Sequence, residues 1–146
     1  MTNAQNARDF DLQLKKSLDL AEEEIQDVIQ VIAMTALRGV VLKTPVATGR
    51  ARGNWIVTKT QPSNQTFKKV DKSGGPTIEK GTAQIQSYDH DKHNQIIIQN
   101  NLPYANRLEN GWSKRAPQGM VAVTMNEVMQ QFREVIIGFR GKGGRR

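Results

Sequence analysis

Leu102-Pro-Tyr-Ala-Asn-Arg-Leu-Glu-Asn-Gly-Trp-Ser-Lys-Arg-Ala-Pro-Gln-Gly-Met-Val121 is the stretch around which this chain is organised. Pro103 suits the first position of a helical turn, where its φ is already set and no N–H partner is needed. Tyr104, Arg107 and Leu108 then share one side at i, i+3, i+4 spacing. Asn110-Gly111 stops the turn, with glycine supplying a left-handed cap. Trp112 to Gln118 resists regular structure, because Pro117 biases its predecessor toward extended geometry. The reading is a short helix that hands the chain to a loop carrying Trp112, Lys114 and Arg115. On the residues alone, a connector anchored in the core is an equally good account.

Upstream, Leu18, Ala21, Ile25, Val28, Ile32, Ala36 and Val40 recur at three- and four-residue steps, which predicts one long helix over 17–43. Ser17 is an acceptable N-cap, and Glu22 to Glu24 at one end and Lys43 at the other suit the helix dipole. In its second half Val31, Met34, Leu37 and Val41 lie off the main stripe, so the helix is apolar nearly all round. Such a helix is covered on more than one side, and Met34 and Val41 are therefore candidates for a contact between subunits; cover by a local loop is the other reading. Asp9 to Leu14 alternates apolar and polar residues and reads either as a short extended arm or as the start of a helix.

Asn54 to Thr60 reads as a strand with Trp55 and Val57 on one face. Gln61 to Gly75 is polar and predicts a flexible loop, since structureless runs of this length are uncommon inside compact domains. Pro76 opens a predicted helix along Ile78, Thr82 and Ile85, although Ala83 to Gln86 would also suit a strand. Three consecutive isoleucines in 95–100 predict a strand covered on both faces. Gln118 to Thr124 reads as a third strand around Met120-Val-Ala-Val, and Thr124-Met-Asn-Glu127 as the capping box of a last helix. Residues 1–8 and the basic tail 141–146 read as flexible ends. The fold class expected is α+β in a single domain over 1–146: a long N-terminal helix and a C-terminal helix packed on a small, mainly antiparallel sheet built from 54–60, 95–100 and 119–124.

Thr44-Pro-Val-Ala-Thr-Gly-Arg-Ala-Arg-Gly-Asn-Trp55 forms a second motif. Together the two resemble the tail-completion, or neck, proteins of long-tailed bacteriophages. The resemblance rests on Thr44, Pro45, Val46, Thr48, Gly49, Arg50 and Trp55, then on Pro103, Tyr104, Ala105, Leu108, Glu109, Gly111, Ser113, Ala116, Pro117, Gly119 and Met120. It extends over roughly residues 10–140 in element order, and nothing carries over for 61–93. Two linked motifs are more specific than either alone. The resemblance implies a structural virion protein at the head–tail junction, assembled in the host cytoplasm. Such proteins form a ring, commonly sixfold, between the head connector and the tail terminator or tail tube, and DNA passes through it.

Arg50, Arg52 and Arg107 lie within the motifs together with Glu109. A carboxylate at the C-terminal end of a helical turn is badly placed for the dipole. The sequence therefore predicts that Glu109 pairs with Arg50 or Arg107, with Arg50 the better partner because the family pattern carries it. The alternative is that all four charges are solvated.

The chain carries a net charge of +7, with five Lys/Arg against seven Asp/Glu in residues 1–43 and sixteen against seven beyond. That asymmetry leaves room for a rival reading as a small basic nucleic-acid-binding module, which needs exposed aromatics among the cations. No cysteine is present, so disulfide and thiolate chemistry are excluded. Asp89, His90, Asp91 and His93 offer ligand types for a metal but sit in one turn, whereas metal sites draw ligands from separate fixed elements. Ser87 with His90 and Asp91 is too local for a triad. No P-loop or dinucleotide fingerprint occurs, so neither an enzyme nor a cofactor is expected. No stretch reads as a membrane span.

Overall fold

A computed structural model of the chain describes residues 9–12, 22–116 and 118–133. The expected flexible ends, the first turns of the predicted 17–43 helix, Pro117 and the end of the last helix lie outside these residues. The fold is α+β. Strand β1 (Asp9–Leu12) is followed by helix α1 (Glu22–Lys43), a single 3-10 turn at Arg52–Asn54, strand β2 (Trp55–Lys59), helix α2 (Gly75–Gln86), strand β3 (Ile96–Asn100), helix α3 (Pro103–Glu109) and helix α4 (Val121–Gln131).

The sheet has the order β1-β3-β2 and is antiparallel throughout. Its central strand carries the three isoleucines, and all five residues of β3 are buried. Ile96 and Ile98 join the main core with Trp55 and Val57. On the opposite face, Gln99 accepts a hydrogen bond from Ser63 N–H (2.7 Å). Both faces of β3 are thus covered, as a run without alternation requires. The third strand differs from expectation. Asp9–Leu12 pairs along β3, and the segment predicted as a strand over 119–124 opens α4 instead.

Helix α1 is the centre of the core. Ala33, Ala36, Leu37, Val40 and Val41 are wholly buried. By length and mean hydropathy (1.5), Glu24–Lys43 does pass for a membrane span, contrary to the sequence reading. The same apolar surface is explained by packing, since α1 is covered by α2 on one side and α4 on another. The approach to α2 is close. A methyl group at Gly81 would lie 2.5 Å from Leu37 Cδ2 and 2.9 Å from Val57 Cγ2, so only glycine lets α2 settle on α1 and β2 at once. Toward α4, Gly39 faces the Thr124 side chain and Lys43 Nζ meets Glu127 Oε1 at 2.6 Å.

Residues 61–70 contain no helix or strand, but side chains that flank β2 and β3 hold them at several points. Buried Asn54 gives its amide to Phe67 O (2.8 Å) and accepts Phe67 N–H (2.6 Å), copying the two bonds of a strand partner. Asn101 donates to Ser63 O and Gln65 O, both at 2.9 Å. The segment then reaches Asp71, whose N–H donates to Gly49 O (2.9 Å).

Asp71 caps α2. Its carboxylate accepts the N–H groups of Gly74 (2.8 Å) and Thr77 (2.9 Å) and the Thr77 hydroxyl (2.6 Å). These are free donors of a helix start, where negative charge is favoured. Burial alone would raise the Asp71 pKa. The bonds from the Thr77 side chain and backbone, Gly74 and Ser73 outweigh it and hold the value below the ordinary 3.8. A carboxyl group depressed in the fold stabilises it fully above the unfolded value, and that contribution disappears as pH falls through the folded one. Asp71→Asn should therefore be less stable than the native chain at pH 7 by roughly 1–3 kcal/mol. The gap should begin to narrow below about pH 4, where the carboxyl of the unfolded chain takes up its proton, and go on narrowing until the native carboxylate is protonated too. Chemical denaturation at several pH values measures both; a gap independent of pH would show that the charge on Asp71 is not what caps α2.

Candidate functional site

The first motif builds a lock at the C-terminal end of α1. Thr44 is wholly buried. Its hydroxyl donates to Val40 O (2.6 Å) and accepts the indole N–H of Trp55 (2.7 Å). A threonine eleven residues before a tryptophan thus acts as one unit: a single hydroxyl ends the helix and satisfies the buried indole, which would otherwise lose a hydrogen bond. Arg52 completes the lock. Its guanidinium donates to Thr44 O (2.8 and 3.2 Å), Leu42 O (3.0 Å) and Lys72 O (2.7 Å). A fork of fixed donors matches the converging free carbonyls of a helix end, and its positive charge suits that end of the dipole.

The second motif builds a lock at the N-terminal end of α4. Glu109 Oε1 accepts the N–H groups of Met120 (2.7 Å) and Val121 (2.8 Å), and Oε2 accepts that of Ala122 (3.0 Å). The predicted ion pair of Glu109 with Arg50 or Arg107 is therefore corrected. The compensation expected for a misplaced carboxylate exists, but a second helix start supplies it. Arg50 is exposed and donates through Nε to Phe67 O (3.1 Å). Arg107 lies with its guanidinium 5.1 Å from the Trp112 ring centre. The glycine ten residues after Glu109 belongs to the same device. Gly119 has φ +84°, and a methyl group there would lie 2.4 Å from Glu109 O and 2.7 Å from its carboxyl carbon.

The capping box expected at Thr124 to Glu127 does not form. With Glu109 as external cap, α4 starts at Val121. Thr124 is consequently a buried position inside the helix, while Glu127 is left to meet Lys43.

The two motifs meet. Arg115 Nη1 donates to Val46 O at 2.6 Å, and Pro45, Val46, Tyr104, Leu108 and Arg115 line a depression of about 240 Å³ between the motifs. A neighbouring depression of about 440 Å³ runs from Leu42 and Arg52 to Gly119 and Val123. Tyr104 and Arg115 line the smaller of them, and the same loop carries Trp112, 72% exposed, and the exposed cation Lys114.

Of the remaining candidates, Trp55 is buried, as its place in the lock requires, and Met34 is half-buried against the core. Val41 is wholly buried, packed against the Gly74 turn. It therefore belongs to the protomer's own core, and the local cover that the sequence left as the alternative is the correct reading there. The residues carried over by motif did not include Asp71 or Asn54. Pro76 signalled the start of α2, and an aspartate five residues before it was the available clue to its cap. In the 89–93 turn, the His93 ring nitrogen accepts Asp89 N–H (2.9 Å) and its ring lies 5.7 Å from that of Tyr88. Among the described residues no three metal-ligating side chains converge.

Comparison with protein-family models, with curated proteins and with solved structures returns no match for this chain.

Glu109 and Arg50 share no partner, so their substitutions should act independently. Glu109→Gln and Arg50→Gln should add in a double-mutant cycle to within about 0.5 kcal/mol. Equilibrium unfolding of the four proteins measures this, and a larger coupling would return the predicted ion pair to consideration.

Proposed function

We propose that this chain is a structural virion protein of the tail-completion, or neck, type, forming part of a ring at the head–tail junction of a long-tailed bacteriophage. The observation that carries the reading is that the two stretches resembling that family become adjoining helix-end locks, tied by Arg115 and Val46 into one surface. Tyr104 and Arg115 line a shallow depression there, and the second motif also exposes Trp112 with Arg107 on its ring. Tyrosine, tryptophan and arginine are the side chains that dominate protein interfaces. A patch of this composition suits a heterologous contact, in which one surface meets a different surface of the next copy and the series closes into a ring. The neighbours in this reading are other copies of the chain, the head connector, and the tail terminator or tube.

The exposed Trp112 with Arg107 on its ring also favours a second reading, a small basic nucleic-acid-binding module, since bases stack on such a platform. Phosphate contacts would give a steep fall of affinity with salt, whereas a ring protein need not bind DNA measurably in isolation.

The test is made on particles. Antibody raised against the purified chain should label the junction between head and tail in electron micrographs of virions. Interrupting its gene should leave full heads and finished tails unjoined. Absence of the chain from purified virions, or normal joining without it, would overturn the proposal.

A further inference from the structure

Strand β2 is an edge of the sheet, and its outer side opens on a slot of about 360 Å³ bounded by α2 and the segment 63–69. Thr60 donates its N–H to Gln95 O (3.3 Å). In this antiparallel register the even-numbered residues of β2 therefore turn their main-chain groups to β3, and Val57 and Lys59 turn theirs outward. Among the described residues no hydrogen bond reaches those outward groups. Each of the two residues offers an N–H and a C=O, two positions apart, which is the repeat that another strand presents.

The walls of the slot have one sign of charge. Lys59, Lys69 and Lys80 line it, and no aspartate or glutamate does. Lys69 and Lys80 both stand over the Phe67 ring, 5.7 and 4.8 Å from its centre, and Lys59 donates to the Ser87 hydroxyl. None of the three takes part in an ion pair within the described residues.

We infer that this slot receives a short extended peptide segment carrying acidic side chains at alternate positions, which adds to β2 as a fourth strand. Strand addition at a free edge takes affinity from main-chain bonds and specificity from pockets for alternate side chains. Here the outward groups of Val57 and Lys59 supply the first and the three ammonium groups the second. A free phosphate or a nucleic-acid strand would satisfy the lysines but would leave the paired donors and acceptors of the edge unused. The inference does not depend on the neck-protein reading.

The experiment follows backbone amide signals of the isotopically labelled full chain. The probes are a blocked peptide alternating valine and glutamate, matched to the five residues of β2, its valine–lysine counterpart, and an oligothymidylate of about ten nucleotides. The acidic peptide should shift the Val57 and Lys59 amides and slow their exchange with solvent, and the valine–lysine peptide should do neither. The double variant Lys69→Glu, Lys80→Glu changes two exposed residues. It should keep the native spectrum of the sheet and bind the acidic peptide at least about tenfold more weakly. Lys59→Pro, which removes an outward N–H without touching β3, should also weaken binding.

Three results would overturn the inference. One is no binding of the acidic peptide at millimolar concentration, leaving lysines that only keep other strands away from an edge. Another is undiminished binding by the double variant. The third is an oligonucleotide that shifts the lysine signals in preference to the peptide while Val57 and Lys59 exchange as before, which would make this a nucleic-acid surface.

Discussion

The fold depends on charged side chains that hold helix ends from outside the helix. Arg52 gathers the free carbonyls at the end of α1, Asp71 binds the first N–H groups of α2, and Glu109 those of α4. In each case the sign of the charge matches the end of the dipole it meets, and each bond is charge-assisted and so stronger than a neutral one. At the starts of α2 and α4 the N-cap residues, Gly74 and Met120, supply no side-chain cap of their own. The holding groups come from the 3-10 turn, from the segment before α2 and from the last residue of α3, and each fixes where its own part of the chain runs. With only 37% hydrophobic residues, the chain has a modest core to position its parts. These polar locks do work that apolar packing does in richer sequences.

The locks also give a physical meaning to the motif residues. Thr44 and Trp55 are linked because one hydroxyl serves both a helix end and a buried indole. Glu109 and Gly119 are linked because a carboxylate can reach the start of α4 only where the backbone passes without a side chain. With those residues engaged inside the protomer, Tyr104, Trp112, Lys114 and Arg115 remain on the surface, held in place by the same loops.

Much of this was legible in the chain, and the limits have definite causes. The apolar spacing of α1 is a local signal, as are the alternation of Trp55 and Val57, the isoleucine run of β3, and the prolines that open α2 and α3. All of these lead to the observed elements. Gln118 to Thr124 reads as a strand because Met120-Val-Ala-Val is a short apolar run, and the capping box that starts at Thr124 offers a plausible helix start. What decides otherwise is Glu109, eleven to thirteen residues before the amides it holds, and no helical or strand periodicity signals a contact at that spacing. The same holds for Asp9–Leu12, whose alternation suits an extended arm but whose partner, β3, is more than eighty residues distant. At the site, the sequence found that Glu109 needed compensation and chose a cation, because opposite charges are the visible partners in a sequence and helix ends are not. Val41 was placed on an outer surface because helical periodicity reports that two sides are covered, without saying by what.

The most direct test of this account is hydrogen exchange at the helix ends. In Glu109→Gln the amides of Met120, Val121 and Ala122 should exchange markedly faster than in the native chain, while Gly74 and Thr77, held by Asp71, keep their protection. That outcome would show that one distant carboxylate holds the start of α4. Unchanged protection at those three amides, or an equal loss at both helix starts, would contradict the claim that each helix end is held by its own external charge.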